Sequence, residues 1–226
     1  MTDCLGLIKA MRRDFSIELV ASIDTLREAQ RLRYQVFCEE RGGLPGHDGI
    51  ESDEYDPRSR HVVLRRRANR ELVGTVRVIT AATDGPWAHL PMQRVCDPVF
   101  LRGLPIATTG EVSRFALARD RHSPNGKSDL LLRLALMQGI LRISRDLRLT
   151  HWCAGMEQSL LRLLRFNAIR YEPVGPVIDY HGLRQPAVGV IDAILATVRR
   201  ERPAIWDYVT EFGKLASAPD QDRLAA

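Results

Sequence analysis

Several charged side chains in the first half of this 226-residue sequence are spaced so that one site could use them. They are Arg33 with Phe37, Asp53 with Asp56, Arg77, and Glu111 with Arg114. A carboxylate beside apolar residues can act as a general base toward an amine, and Glu111, followed by Phe115, Ala116 and Leu117, is the candidate. Arg114 can orient Glu111 or bind an acceptor carboxylate. Main-chain N–H groups around Phe115, Ala116 and Leu117 can stabilise an oxyanion where a strand is splayed. Asp53 and Asp56 can hold a substrate ammonium or pair with Arg33 and Arg77, which costs less than burying each charge alone. For an acyl chain, Leu117, Leu131, Leu134, Met156, Leu160 and Leu164 offer apolar faces. Taken singly, each has a plainer explanation: a solvated strand end for Arg77, loop polarity for the two aspartates, helix surface for Arg33, core packing for the leucines.

Other chemistries lack their residues. The sequence has no dinucleotide glycine fingerprint, no GxxxxGK[ST], no HExxH and no GxSxG. Cys4, Cys38, Cys96 and Cys153 are far apart and His61, His122, His151 and His181 share no ligand spacing, so no metal site is expected. His181, in the turn Asp179-Tyr180-His181-Gly182, is a secondary site candidate.

The elements that must position these residues read as an α/β chain. Residues 16–23 form a strand, and a helix capped by Asp24 or Thr25 runs to residue 40. Glycines and prolines make 41–59 a long loop that carries Glu51, Asp53, Glu54 and Asp56. Residues 61–67 and 71–80 form a hairpin turning at Ala68-Asn69-Arg70. Four prolines make 84–107 an irregular surface excursion with at most a short helix near Met92. Residues 110–120 return to a strand, in which Glu111 and Arg114 face opposite ways unless a bulge intervenes. A buried helix over 130–148, capped by Ser128 or Asp129, is followed by strand, helix and extended pieces and by two last helices, the second starting at Pro203. The expected layout is a mixed, mostly antiparallel sheet flanked by helices, one domain over 1–215 and a frayed tail over 216–226.

With 45% hydrophobic and 27% charged residues the chain can bury a core, and no apolar run is long enough to span a membrane. A cytoplasmic location is expected. The net charge is +5, and arginine supplies nearly all the cations, with lysine only at Lys9, Lys127 and Lys214, so an anionic partner fits. Nucleic acid is disfavoured at 6% aromatic content.

The order R33-Y-Q-V-F37, E51-S-D53-E-Y-D56, G74-T-V-R77, E111-V-S-R114 resembles the pattern of acyl-homoserine-lactone synthases. Further segments, among them LRYQVFCEERG, THWCAGMEQSLLRLLRFNAIRYEPVGP and DYHGLRQPAVGVID, resemble the exosortase-associated acyltransferases found with PEP-CTERM systems, over residues 32 to about 207. N-acyl amino acid synthases are more distant relatives. The resemblance implies a Gcn5-related N-acetyltransferase (GNAT) fold and transfer of a fatty acyl group from a thioester to the amine of an amino acid or related small metabolite. It implies no tightly bound cofactor. Two departures shape the expectation: Arg41-Gly42-Gly43-Leu44 stands where the synthases carry a tryptophan, and RDRHSPNGKSD keeps only part of the acetyltransferase pyrophosphate loop. The first counts against homoserine-lactone or S-adenosylmethionine specificity, and the second favours an acyl-phosphopantetheine on acyl carrier protein over acyl-CoA as donor. Arg58, Arg60, Arg65, Arg66, Arg67 and Arg70, or Arg133, Arg142, Arg145 and Arg148, would then dock the carrier. The alternatives are a homoserine-lactone synthase using S-adenosylmethionine, and a silent module that binds the carrier or lipid.

Overall fold

The computed structural model of the chain describes residues 4–82, 85, 88–118 and 127–216. His122, the loop at 121–126 and most of the tail lie outside them. The sheet has the order β1-β2-β3-β4-β5-β8-β6, built from β1 (Phe15–Leu19), β2 (Ser59–Arg66), β3 (Leu72–Thr80), β4 (Thr109–Leu117), β5 (His151–Met156), β6 (Glu172–Pro173) and β8 (Leu183–Val190). A short β7 (Ile178–Asp179) also pairs with β8. The first four strands are antiparallel neighbours, β4 and β5 are parallel, and β5 and β8 are antiparallel. The expected mixed, mostly antiparallel sheet is therefore observed.

Two hydrophobic layers cover the sheet. On one face lies α4 (Lys127–Asp146), whose Leu132, Leu136 and Ile140 share a core with Val62, Leu64, Val76, Val78 and Trp152. Burying a side chain such as Ile140 contributes about 1.5–3 kcal/mol relative to leaving it in water. Close approach of helix to sheet requires Gly139, because a Cβ there would collide with the Val62 side chain. The Trp152 indole N–H donates to Ser144 Oγ at 2.8 Å and anchors β5 to α4. On the other face, α3 (Pro91–Val95) and the turns around it bury Leu90, Met92, Cys96 and Leu101 against Cys153. The remaining helices are α1 (Cys4–Asp14), α2 (Ile23–Arg33), α5 (Gln158–Phe166), α6 (Ile191–Glu201) and α7 (Pro203–Val209).

Local sequence reasoning errs in four places. It assigns no helix at the N-terminus, where α1 forms. The first strand stops at Leu19, and Ser22 is the cap of α2, accepting from the Thr25 N–H at 3.2 Å. Lys127 opens α4, so Asp129 sits in its first turn, where an acid favours the positive end of the helix dipole, rather than before it. Residues 88–108 are more than surface, since four of their side chains form the second core.

Candidate active site

The loop over residues 41–58 brings its acids onto the sheet because three arginines receive them. Arg33 ends α2, and its guanidinium reaches Glu51 at 2.5 Å and Asp56 at 2.8 Å. Arg77, on central strand β3, holds Asp53 with both terminal nitrogens, at 2.5 and 2.6 Å, and Asp56 at 2.6 Å. Arg114 on β4 reaches Glu51 and Asp53, each at 2.9 Å. Three cations thus face three carboxylates, a balance that makes burial affordable. Burial alone would raise the Asp56 carboxyl, but Arg33, Arg77 and the Gln30 amide hold it well below the usual carboxylate range. Asp53 is lowered in the same way, Arg77 and Arg114 outweighing burial. Arg77 is raised, since the two aspartates overcome its own desolvation. Beneath the network, burial lowers His61 to about 4, so the ring is neutral near pH 7.

Strand β4 is irregular where the site needs it. Its register passes from Arg77↔Ser113 to Thr75↔Ala116, so three steps on β4 oppose two on β3. Arg114 lies inside this bulge with φ of 51°, and the extra residue lets it turn to the acids of the loop. The Arg77 Nε–H donates to Ser113 Oγ at 2.9 Å and ties the bulge to the network. On its other side β4 pairs with β5 only over Thr109–Glu111. Beyond Glu111 the two strands part, and a cavity of about 390 Å³ occupies the gap.

Glu111 is at the root of this gap, 5% exposed, on the α3 face. One carboxylate oxygen accepts the Met92 N–H at 2.8 Å. Burial pushes its pKa up to about 7, only partly offset by that bond and by Arg77, Arg58 and Arg114. A base poised there is half ionised at neutral pH, which suits proton removal from an amine. Tyr180 and His181 line the same cavity. Burial, with Glu111 nearby, raises the Tyr180 phenol, and burial with Arg114 lowers His181.

The cavity wall is drawn from both faces of the sheet. Met92, Cys96 and Glu111 come from the α3 side, and Leu134, Met137 and Ala154 from the α4 side. Of the expected acyl-pocket residues, Leu134, Met156, Leu160 and Leu164 line it. Leu131 does not; it packs on the core while Leu130, one position earlier, faces the cavity. Phe37, on the π-helical turn over Tyr34–Glu40 that extends α2, lines it, as do Arg114 and Phe115. Ala116 and Leu117 are instead turned into packing clusters.

Arg33, Asp53, Asp56 and Arg77 take one of the two roles open to them, pairing with one another, and none of them is among the residues that line the cavity. Their geometry holds Arg114 and the loop in place. Most of the first arginine cluster is engaged within the chain: Arg58 with the carbonyls of Thr80 and His89, Arg65 with Glu28, Arg66 with Glu71, Arg67 with the carbonyls of Arg12 and Phe15, Arg70 with Glu18, while Arg60 is exposed. In the second, Arg142 pairs with Glu211 and Arg145 with the Lys214 carbonyl. Sequence reasoning missed Met92, Tyr180 and the pairing role of Glu51. Only Glu51 left a signal, through the spacing of acids in the loop. Among the described residues no group of three His, Cys, Asp or Glu side chains gathers to hold a metal ion, and no helix is long and apolar enough to cross a membrane.

Residues 32–130 match the family model described as an acetyltransferase (GNAT) domain. A segment of 54 residues is 44% identical to L-ornithine N(alpha)-acyltransferase of Rhodobacter capsulatus, covering 22% of this chain and 21% of that protein. The chain thus aligns with about a fifth of that curated relative's length. Among solved structures, the fold is similar to a CoA-dependent acyl-homoserine lactone synthase, BjaI, solved with SAM and isopentyl-CoA (TM-score 0.63, 21% identity, 93% of this chain and 97% of that one). It is similar to FeeM, an N-acyl amino acid synthase from uncultured soil microbes (TM-score 0.61, 15% identity, 81% and 94%). It is also similar to the AHL synthase LasI (TM-score 0.59, 21% identity, 78% and 89%). The sheet order, the bulge in β4 and its parting from β5 belong to a chain whose residues 32–130 match the acetyltransferase (GNAT) model and whose fold is similar to that of these synthases.

Proposed function

We propose that the protein is an N-acyltransferase that moves a fatty acyl group from a phosphopantetheine thioester to the amine of an amino acid or related small metabolite. The observation that carries this reading is Glu111: a buried carboxylate raised to about 7, at the root of a cavity with a long apolar wall. In the reaction, the neutral amine nitrogen bonds to the thioester carbonyl carbon and its proton passes to Glu111. The carbonyl oxygen takes up charge beside main-chain N–H groups of the unpaired part of β4, and the carbon–sulfur bond breaks. The departing thiolate receives the proton from Glu111, which returns to its starting state.

The wall of Leu130, Leu134, Met137, Met156, Leu160 and Leu164 suits the acyl chain, and apolar contact at about 0.8 kcal/mol per buried methylene favours a long one. Acyl carrier protein is the donor favoured here. Its docking surface is α5, because Arg162 and Arg165 are exposed there beside Leu163, a cavity residue, and Phe166, 74% exposed, whereas most arginines of the two clusters are engaged within the chain. Association with exosortase systems belongs to the same proposal and rests on the resemblance over residues 32–207.

The test is mass spectrometry of reactions containing acyl-loaded carrier protein or acyl-CoA with a pool of amino acids and polyamines. N-acyl products that depend on Glu111 support the reading. Folded protein that binds either donor yet forms no amide with any amine sinks it and leaves a binding module. Release of methylthioadenosine when S-adenosylmethionine is supplied would instead identify a lactone synthase.

A further inference from the structure

We infer that Arg133 is the anion-recognition residue of the cavity, a specificity-determining cation whose guanidinium fork takes an anionic oxygen group of the substrate. This rests on the acyltransferase reading above and names a chemical feature that its substrate must carry.

Four arginines line the cavity, and three of them are occupied. Arg114 is held by Glu51 and Asp53. Arg41 reaches Glu157 at 3.1 Å. Arg184 lies 3.6 Å from the same carboxylate and donates to the carbonyls of Leu183 at 3.1 Å and His181 at 2.8 Å. Arg133 is the exception: among the described residues it makes no hydrogen bond and no ion pair, although it stands half-buried between the cavity residues Leu130 and Leu134. Its nearest acids are Asp129, one turn earlier on α4, and Glu157, and neither comes within ion-pair reach. Glu157 already serves two other arginines. Burial lowers the Arg133 pKa and Arg41 adds to it, and the more distant charges of Asp129 and Glu157 offset this only in part.

A guanidinium that has lost water without gaining a partner carries a cost, and an entering anion removes it. The planar fork matches two oxygens on one centre, so a carboxylate or a phosphate fits better than a single charged atom. That chemistry has two possible sources on the proposed substrates: the phosphate of the donor's pantetheine arm or the carboxylate of the acceptor. The competing account is a side chain that lays its stem on Leu130 and Leu134 and leaves its head to water.

Binding calorimetry on the whole protein separates these accounts without requiring turnover. One pair of probes is 4′-phosphopantetheine and pantetheine, which differ by the phosphate. The other is N-decanoylglycine and N-methyldecanamide, which differ by the carboxylate. The wild type should bind the anionic member of one pair about ten- to hundredfold more tightly than its neutral counterpart, the scale of a charge-assisted fork. Arg133→Gln should reduce that ratio to within about threefold while the neutral member binds as before, and Arg133→Lys should keep part of the preference. The pair that responds identifies the source. The inference is overturned if the wild type discriminates in neither pair, or if Arg133→Gln discriminates as well as the wild type. Discrimination without any amide formation would defeat the acyltransferase reading alone, and amide formation without discrimination would defeat only the role of Arg133.

Discussion

The acids of the loop before β2 and the acid of β4 lie close together on the sheet and have opposite fates. Glu51, Asp53 and Asp56 are met by Arg33, Arg77 and Arg114, and the two aspartates are held below the usual carboxylate range. Glu111, one strand from Arg77, has no ion pair among the described residues and only one main-chain donor, and burial lifts it to about 7. Both groups are carboxylates withdrawn from water against one sheet. What separates them is pairing, which turns the first into scaffold and leaves the second able to exchange a proton. Arg114 joins the two, bonded to the network while lining the cavity.

Glu111→Gln breaks the comparison most sharply. The amide oxygen can still accept the Met92 N–H, so the fold should persist while turnover falls by roughly two to four orders of magnitude. In the wild type, kcat/KM should rise with pH to a plateau through an apparent pKa near 7, and the variant should lose that limb. Wild-type turnover in the variant would remove the base from the mechanism.

Arg77→Ala attacks the scaffold instead. Leaving Asp53 and Asp56 without their shared cation should cost about 3–5 kcal/mol in chemical denaturation. Activity should fall together with the folded fraction. A loss below 1 kcal/mol would mean that the network holds little.

The two regions should also respond to pH with opposite sign. Asp53 and Asp56 have lowered pKa values, so their stabilisation is present above about pH 4 and is lost as pH falls through their folded values. Glu111 has a raised pKa, so it weakens the folded state as pH climbs from about 4.5 past 7. Glu111→Gln should therefore be more stable than the wild type at pH 8 by about 1–3 kcal/mol, with the difference shrinking at pH 5. Equal stability at both pH values would place the Glu111 carboxyl in water.

The smallest effect belongs to Glu54→Gln. Glu54 stands in the same loop as the network acids, but half-exposed and 3.3 Å from the exposed Arg94. Stability should change by less than about 0.5 kcal/mol and turnover by less than about twofold. A larger change would show that the loop's charge matters apart from the pairs.

The chain's own pattern made much of this legible. Alternation and glycine–proline breaks locate the hairpin β2–β3, the loop before it and the apolar helix α4, because local hydrophobic period and turn chemistry decide those elements. Residue types and order mark Glu111, Arg114, Asp53, Asp56, Arg33 and Arg77 as a set. How the set divides was decided only by tertiary structure. A sequence does not say which acid meets an arginine in three dimensions, and that meeting sets whether a buried carboxylate is neutralised by a pair or by a proton. Helix phase made the difference between Leu130 and Leu131: both pack on the core, but one residue turns a side chain by about 100°, and only Leu130 also lines the cavity. The same dependence on distant partners took Arg142 and Arg145 to the elements near the C-terminus and left Arg133, on the same helix, lining the cavity without an ion pair among the described residues.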